Sequence, residues 1–169
     1  IPYNEKMPTE AESLQDHSRP KLEYCSSIWD PYQQKYVDKI EMVQRRAARF
    51  VKGIPHKHTS DPQPSVTAMV NQLGWPALKD RRLNNRITLL YKVKNKLIEV
   101  PEEYHPVPNN NRVSRRVHNQ QYKRLQTEND NMKFAFIPRT IEDWNNLPSS
   151  VVAAESLEDL KARLAARLN

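Results

Sequence analysis

Only two of the 169 residues are glycine, Gly53 and Gly74. Each directly follows a stretch of helical periodicity, where a left-handed residue closes a helix at least cost. That placement gives both glycines the same structural use. It also excludes Walker-type and dinucleotide-binding loops, which need several close backbone approaches to phosphate. The chain is therefore expected to be mainly α-helical, with its breaks supplied by these glycines and by proline.

The apolar spacing defines the helices. Leu22, Cys25, Ile28 and Trp29 recur at helical intervals over 19–29, and Asp30-Pro31 breaks that run. The clearest helix is predicted from about Gln33 to Lys52, with Tyr36, Val37, Ile40, Val43, Ala47, Phe50 and Val51 as its apolar stripe. Residues 54–64 read as a proline-bounded loop. Ser65 is placed to cap a short helix through Leu73, with Met69, Val70 and Leu73 inward. A long helix then runs from about Pro76 to Ile98. Its inward set is Leu78, Leu83, Ile87, Leu90, Tyr91, Leu97 and Ile98. Its outward set is Lys79, Arg81, Arg82, Arg86, Lys92, Lys94 and Lys96.

The second half is more irregular. Residues 99–111 are rich in proline and asparagine and read as a loop. Residues 112–124 hold five basic residues and no acid, and are expected to be extended. The run 133–137 reads as a short strand or aromatic plug. Pro138 opens a helix through Trp144, which Asn145-Asn146-Leu147-Pro148 closes. Ser156 with Asp159 forms an S-x-x-D cap for a last helix, lined by Leu157, Leu160, Leu164 and Leu168. Trp29, Trp75 and Trp144 each stand at an element end and read as core anchors. No internal repeat occurs.

Composition narrows the function classes. Apolar residues are 37% of the chain, enough for a thin core that a partner could help to cover. No apolar run reaches the ~18 residues of a membrane-spanning helix. The start lacks the basic and apolar regions of a signal peptide. It also lacks Met, so the chain is expected to be processed or excised from something longer. A single cysteine, Cys25, cannot form an internal disulfide, which fits an intracellular location, nuclear or cytoplasmic.

Enzyme readings find little support. His56 and His58 could touch a metal but read more simply as a solvated loop pair. Cys25 reads as a small buried side chain. Acid pairs such as Glu102-Glu103 point in different directions, and no nucleophile–base pair or metal set emerges. No catalytic residue, metal or cofactor is expected.

Charge carries the stronger signal, with 27 Lys and Arg against 20 Asp and Glu, a net charge of +7. That balance suits a polyanionic partner. Three basic groups emerge. Arg45, Arg46, Arg49 and Lys52 share one helix end. Lys79, Arg82 and Arg86 fall at i, i+3 and i+7 on one stripe. Arg112, Arg115, Arg116, Lys123 and Arg124 lie in the extended segment with His118 and Tyr122 among them. Arginine suits phosphate, and tyrosine can stack on an unpaired base. A membrane surface is disfavoured, because no basic helix face is read as pairing with protruding Trp and Phe.

Several blocks also carry a resemblance. They are RPKLEYCSSIWDPYQQKYVDKIEMVQRRAARFVKG at 19–53, SVTAMVNQLGWPALKDRRLNNRITLLYKV at 65–93, SRRVHNQQY at 114–122, FAFIPRTIEDWNNLP at 134–148 and VVAAESLEDLKARL at 151–164. In this order they resemble the C-terminal part of reverse transcriptases of non-LTR (LINE) retrotransposons, of the jockey type and its relatives. The resemblance spans about 19–164. It implies the late part of a helical thumb, which grips a template–primer duplex, followed by a C-terminal extension implicated in recognising element RNA. The family's paired catalytic aspartates have no counterpart, since the chain contains no Asp-Asp pair. The resemblance therefore implies no polymerase activity for this chain alone. Residues 1–18, acidic through Glu5, Glu10, Glu12 and Asp16, depart from the family.

The expected organisation is an acidic leader at 1–18, a helical thumb-like region at 19–98, a basic loop or hairpin at 99–133, and a C-terminal helical extension at 134–169. The expected fold is a small domain of four to five helices, with a long basic loop and room for a short β-hairpin near 113–137. The leading function is non-catalytic binding of RNA or an RNA–DNA hybrid. The contacts would come from Arg45, Arg46, Arg49, Lys52, Lys79, Arg82, Arg86, Arg112, Arg115, Arg116, His118, Tyr122, Lys123 and Arg124. The alternative is a protein-interaction module that associates with a partner, or with itself, through exposed apolar helix faces.

Overall fold

The computed structural model describes residues 21, 23–54, 65–110 and 118–167. Its elements are α1 (Ser26–Trp29), α2 (Gln34–Val51), α3 (Val66–Gln72), α4 (Leu78–Lys94), a 3₁₀ turn (Glu102–Tyr104), α5 (Asp130–Lys133), α6 (Phe136–Asn145), α7 (Ser149–Val152) and α8 (Leu157–Ala166). The protein is mainly α, as expected. Five of these helices are longer than one turn, and three are single turns. Of the expected hairpin, the described residues hold one antiparallel bridge, between Pro108 and Tyr122. Two backbone hydrogen bonds flank it, Asn109 N–H to Gln121 O and Lys123 N–H to Val107 O, both 2.8 Å. The acidic leader and the loop at 55–64, including His56 and His58, lie outside the described residues, as does Leu168.

The chain divides into two compact units, the first comprising Ile1–Cys25 and Pro31–Lys79, the second Ser26–Asp30 and Asp80–Asn169. In the first, α2 and α3 each end in the same way. Gly53 (φ +64°) and Gly74 (φ +63°) adopt the left-handed conformation. After α2, Ile54 N–H reaches Arg49 O and Gly53 N–H reaches Phe50 O, both at 3.0 Å. After α3, Trp75 N–H reaches Val70 O (3.1 Å) and Gly74 N–H reaches Asn71 O (2.9 Å). These paired bonds are Schellman closures, and they satisfy carbonyls that a helix end leaves open.

The face that α2 buries differs from the expected one. Its buried residues are Gln44 and Ala48, while Tyr36, Val43 and Phe50 stay exposed. The inward face is rotated because polar anchors fix it. Glu41 accepts hydrogen bonds from Lys79 N–H (2.7 Å) and Leu78 N–H (3.3 Å), the open amides at the start of α4. One turn on, Gln44 Nε2 donates to Pro76 O (2.9 Å). Met69, Trp75 and Leu78 are also buried in this unit.

The second unit holds the main core. Ile87, Leu90 and Tyr91 of α4 pack with Tyr122, with Ile141 and Trp144 of α6, with Leu147, with Val151 and Val152 of α7, and with Leu160 and Leu164 of α8. Trp75 and Trp144 are buried, as expected of anchors. Trp29 is not, at 41% exposed. The helix expected over 19–29 is interrupted at Cys25, which has φ +51° and is exposed rather than buried. What organises the following turn is polar. Buried Ser26 accepts a hydrogen bond from Asn85 Nδ2 at 3.1 Å.

Three further local expectations meet the structure differently. The run 133–137 forms no strand: Lys133 ends α5, which Asn129 caps through Met132 N–H (2.9 Å), Phe134 and Ala135 turn the chain, and Phe136 begins α6. Pro138 sits in the first turn of α6, where no N–H is required. The long helix ends at Lys94, and Leu97 is exposed. Lys96 occupies the left-handed position there (φ +55°), with Leu97 N–H on Lys92 O at 2.9 Å and Lys96 N–H on Val93 O at 3.1 Å. The last helix follows expectation, with Ser156 Oγ accepting from Asp159 N–H at 3.0 Å.

Candidate nucleic-acid interface

The structure sorts the fourteen basic and aromatic candidates into three groups. Arg112, Arg115 and Arg116 lie outside the described residues. Four others are buried. The remaining seven, Arg45, Arg46, Arg49, Lys52, Lys79, Lys123 and Arg124, are exposed or partly exposed.

Arg82 and Arg86 are corrections to the outward stripe. Their spacing does place them on one face of α4, but that face turns inward, and Arg82 is only 1% exposed. Arg82 Nε meets Asp30 Oδ1 at 2.7 Å. Arg86 pairs with both Asp30 and Asp143, the latter at 2.6 Å. Arg139 adds a third guanidinium, 3.3 Å from Asp30 Oδ2, and donates to Asp30 O at 3.0 Å. Burial pulls the Arg86 guanidinium below its ordinary range, and its hydrogen bond to Asp143 opposes that pull. Burial also lowers Arg139. Buried charges need such partners, so this cluster holds the second unit together and is closed to a ligand.

His118 and Tyr122 are likewise corrections. They do not make adaptable contacts, because α6 fixes them. His118 Nε2 donates to Trp144 O at 3.0 Å, and the two rings meet edge to face with centroids 6.5 Å apart. Trp144 Nε1 donates to Gln120 O at 2.9 Å. Tyr122 N–H donates to Asn145 Oδ1, and Asn145 Nδ2 donates back to Tyr122 O, both at 2.9 Å. Lys94 Nζ lies over the Trp144 ring at 5.2 Å and reaches Gln120 Oε1 at 2.5 Å. Burial lowers its ammonium below the ordinary lysine range. Asp30, Arg139, Asp143 and Asn145 carry these contacts, and no sequence signal picked them out. Their partners lie 23 to 109 residues away.

The helix end of α2 is different. At 100° per residue, Met42, Arg45, Arg46 and Arg49 share a stripe on the side away from Gln44 and Ala48. With Val66 and Thr67 of α3 they line a cleft of about 320 Å³. Among the described residues, the lining includes three guanidinium groups and no acid. Arg46 makes only a long contact to Met42 Sδ at 3.7 Å, and among the described residues none of the three arginines forms an ion pair. Phe50, one turn beyond Arg46, protrudes at 71% exposure. An aromatic therefore does protrude beside basic residues, contrary to the sequence reading.

Elsewhere, a larger cleft of about 580 Å³ in the second unit sets Glu99 and Glu102 against Lys96 and His105. Its mixed charge gives a polyanion no net attraction. Lys123 and Arg124 form a separate exposed pair in the same unit. Among the described residues, no three His, Cys, Asp or Glu side chains converge on a position that could hold a metal. No described helix is long and apolar enough to cross a membrane. No family model, curated protein or solved structure matches this chain.

Proposed function

We propose that this protein is a non-catalytic nucleic-acid-binding module, taking RNA or an RNA–DNA hybrid. We further propose that it is related to the late thumb and C-terminal extension of non-LTR retrotransposon reverse transcriptases. The observation that carries the binding reading is the α2–α3 cleft, where Arg45, Arg46 and Arg49 converge with no carboxylate among the described lining residues. Unpaired guanidinium groups on a surface attract phosphate, and their planar fork matches its geometry. Lys52, exposed one turn on from Ala48, extends the same positive end. The net charge of +7 would steer a polyanion toward such a patch. The reading carries an intracellular location with it.

Fluorescence anisotropy over a salt series, with structured RNA, a hybrid and duplex DNA, tests this. Submicromolar, salt-dependent binding with RNA or hybrid preferred is expected. An R45A/R46A/R49A chain should bind less tightly, with a log–log salt slope shallower by about 2 to 3, at roughly 0.7–0.9 per phosphate contact. Affinity weaker than ~10⁻⁴ M at physiological salt, below ordinary non-specific binding, removes the reading.

A second reading, a protein-interaction module, has its own support. Tyr36, Val43 and Phe50 form an exposed apolar row at seven-residue spacing along α2. Self-association that persists in high salt would favour it.

A further inference from the structure

The apolar row and the arginine cleft occupy adjacent strips of one helix. Passing round α2 from Val43 and Phe50, the surface meets Arg46, then Met42 and Arg49, then Arg45. Phe50 and Arg46 stand four residues apart, which brings their Cβ atoms to about 5–6 Å. Tyr36, at the far end of the row, is already covered by cations, with Lys35 Nζ 4.8 Å and Lys39 Nζ 5.7 Å from its ring. Phe50 has no such cover among the described residues. Beneath it, the carbonyls of Arg49 and Phe50 are taken by Ile54 and Gly53 N–H. The surface there presents an exposed ring beside guanidinium groups.

We propose that this surface binds single-stranded nucleic acid, with an unpaired base stacked on Phe50 and the adjoining phosphates held by Arg46, Arg49 and Arg45. The inference rests on the nucleic-acid reading above and narrows it from RNA or a hybrid to an unpaired strand. An exposed ring beside unpaired cations matches what an unpaired strand needs. Every base offers a face for stacking, and the backbone follows the positive groove. A duplex keeps its bases stacked on one another, so it can use the arginines but not Phe50. Met42, beside the arginines on α2, and Val66 of α3 give the cleft apolar lining against which a neighbouring sugar or base can rest.

The test measures the full chain against an unstructured 20-nucleotide RNA and against the same strand annealed to its complement. Native protein should bind the single strand more tightly. Phe50→Leu keeps an apolar side chain but removes the aromatic face. It should weaken single-strand binding at least about fivefold and leave duplex binding within twofold. Phe50→Trp should restore the affinity. Circular dichroism checks that each variant folds, which the exposure of Phe50 favours. If F50L binds the single strand like the native chain while R45A/R46A/R49A does not, the stacking inference falls and the nucleic-acid reading stands. If the native chain binds neither strand, both fall. If Phe50→Ala dissolves a dimer seen by sedimentation without altering strand binding, the ring belongs to a self-association surface and the inference falls.

Discussion

Asp30 and Arg82, 52 residues apart in the chain, meet carboxylate to guanidinium at 2.7 Å in the interior of the second unit. The same carboxylate also serves Arg86 and Arg139. One acid from the short segment Ser26–Asp30 thus ties the start of α4 to α6. The pairing decides which arginines of α4 are structural. It leaves the arginines of α2 as the larger group of unpaired guanidinium groups among the described residues.

Replacing Asp30 by Ala should strongly destabilise the second unit. It removes one carboxylate from beneath three guanidinium groups, and breaking a buried ion pair from one side costs about 3–5 kcal/mol. Urea denaturation followed by tryptophan fluorescence should show a lowered midpoint of that size. Arg45→Ala should stay within roughly 0.5 kcal/mol of the native chain, as exposed substitutions do. Similar midpoints for the two variants would contradict the assigned roles.

Asn145→Ala removes an amide that answers both the N–H and the C=O of Tyr122. Both backbone groups would then lack a partner beside the core, at about 1–3 kcal/mol each. Hydrogen exchange should show the Tyr122 amide losing protection before the amides of α8.

Lys96 holds a left-handed conformation that glycine adopts without strain. Lys96→Gly should therefore stabilise the protein, by about 1 kcal/mol, through the closure already present after α4. A thermal melt decides the sign. An unchanged or lowered transition would place the left-handed preference of this turn elsewhere.

Burial pushes the Tyr122 phenol up to about 12, from an ordinary value near 10. The folded chain therefore keeps this proton over a range where the unfolded chain has released it. Stability from this group is complete below pH 10 and declines as pH rises towards 12, by roughly 2–3 kcal/mol in all. Denaturation midpoints at pH 9, 10.5 and 11.5 should fall more steeply for the native chain than for Tyr122→Phe.

Much of the local structure was legible in the sequence. The left-handed closures at Gly53 and Gly74, the Ser156 cap, the limits of α2 and the end of α6 depend on neighbours a few residues away, where spacing and side-chain chemistry are sufficient. The run at 133–137 misled because its aromatic alternation resembles a strand, whereas it holds the end of the Asn129-capped α5, a turn at Phe134 and Ala135, and the start of α6. The apolar stripe of α2 misled for a related reason. Periodicity showed that the helix has an apolar face, but Glu41 and Gln44 dock it through hydrogen bonds to Leu78, Lys79 and Pro76. That docking turns part of the stripe outward.

By itself, then, the sequence determined the helical class, the punctuation between helices and the excess of positive charge. It also carries the blocks that resemble a retrotransposon polymerase. Tertiary structure decided which basic residues remain available. Lys79, Arg82 and Arg86 share one stripe at the spacing of an exposed cationic face, yet only Lys79 is exposed. Asp30 and Asp143 enclose the other two from distant parts of the chain. A charge's exposure depends on what packs over it, and helical spacing fixes only the direction it faces along its own axis.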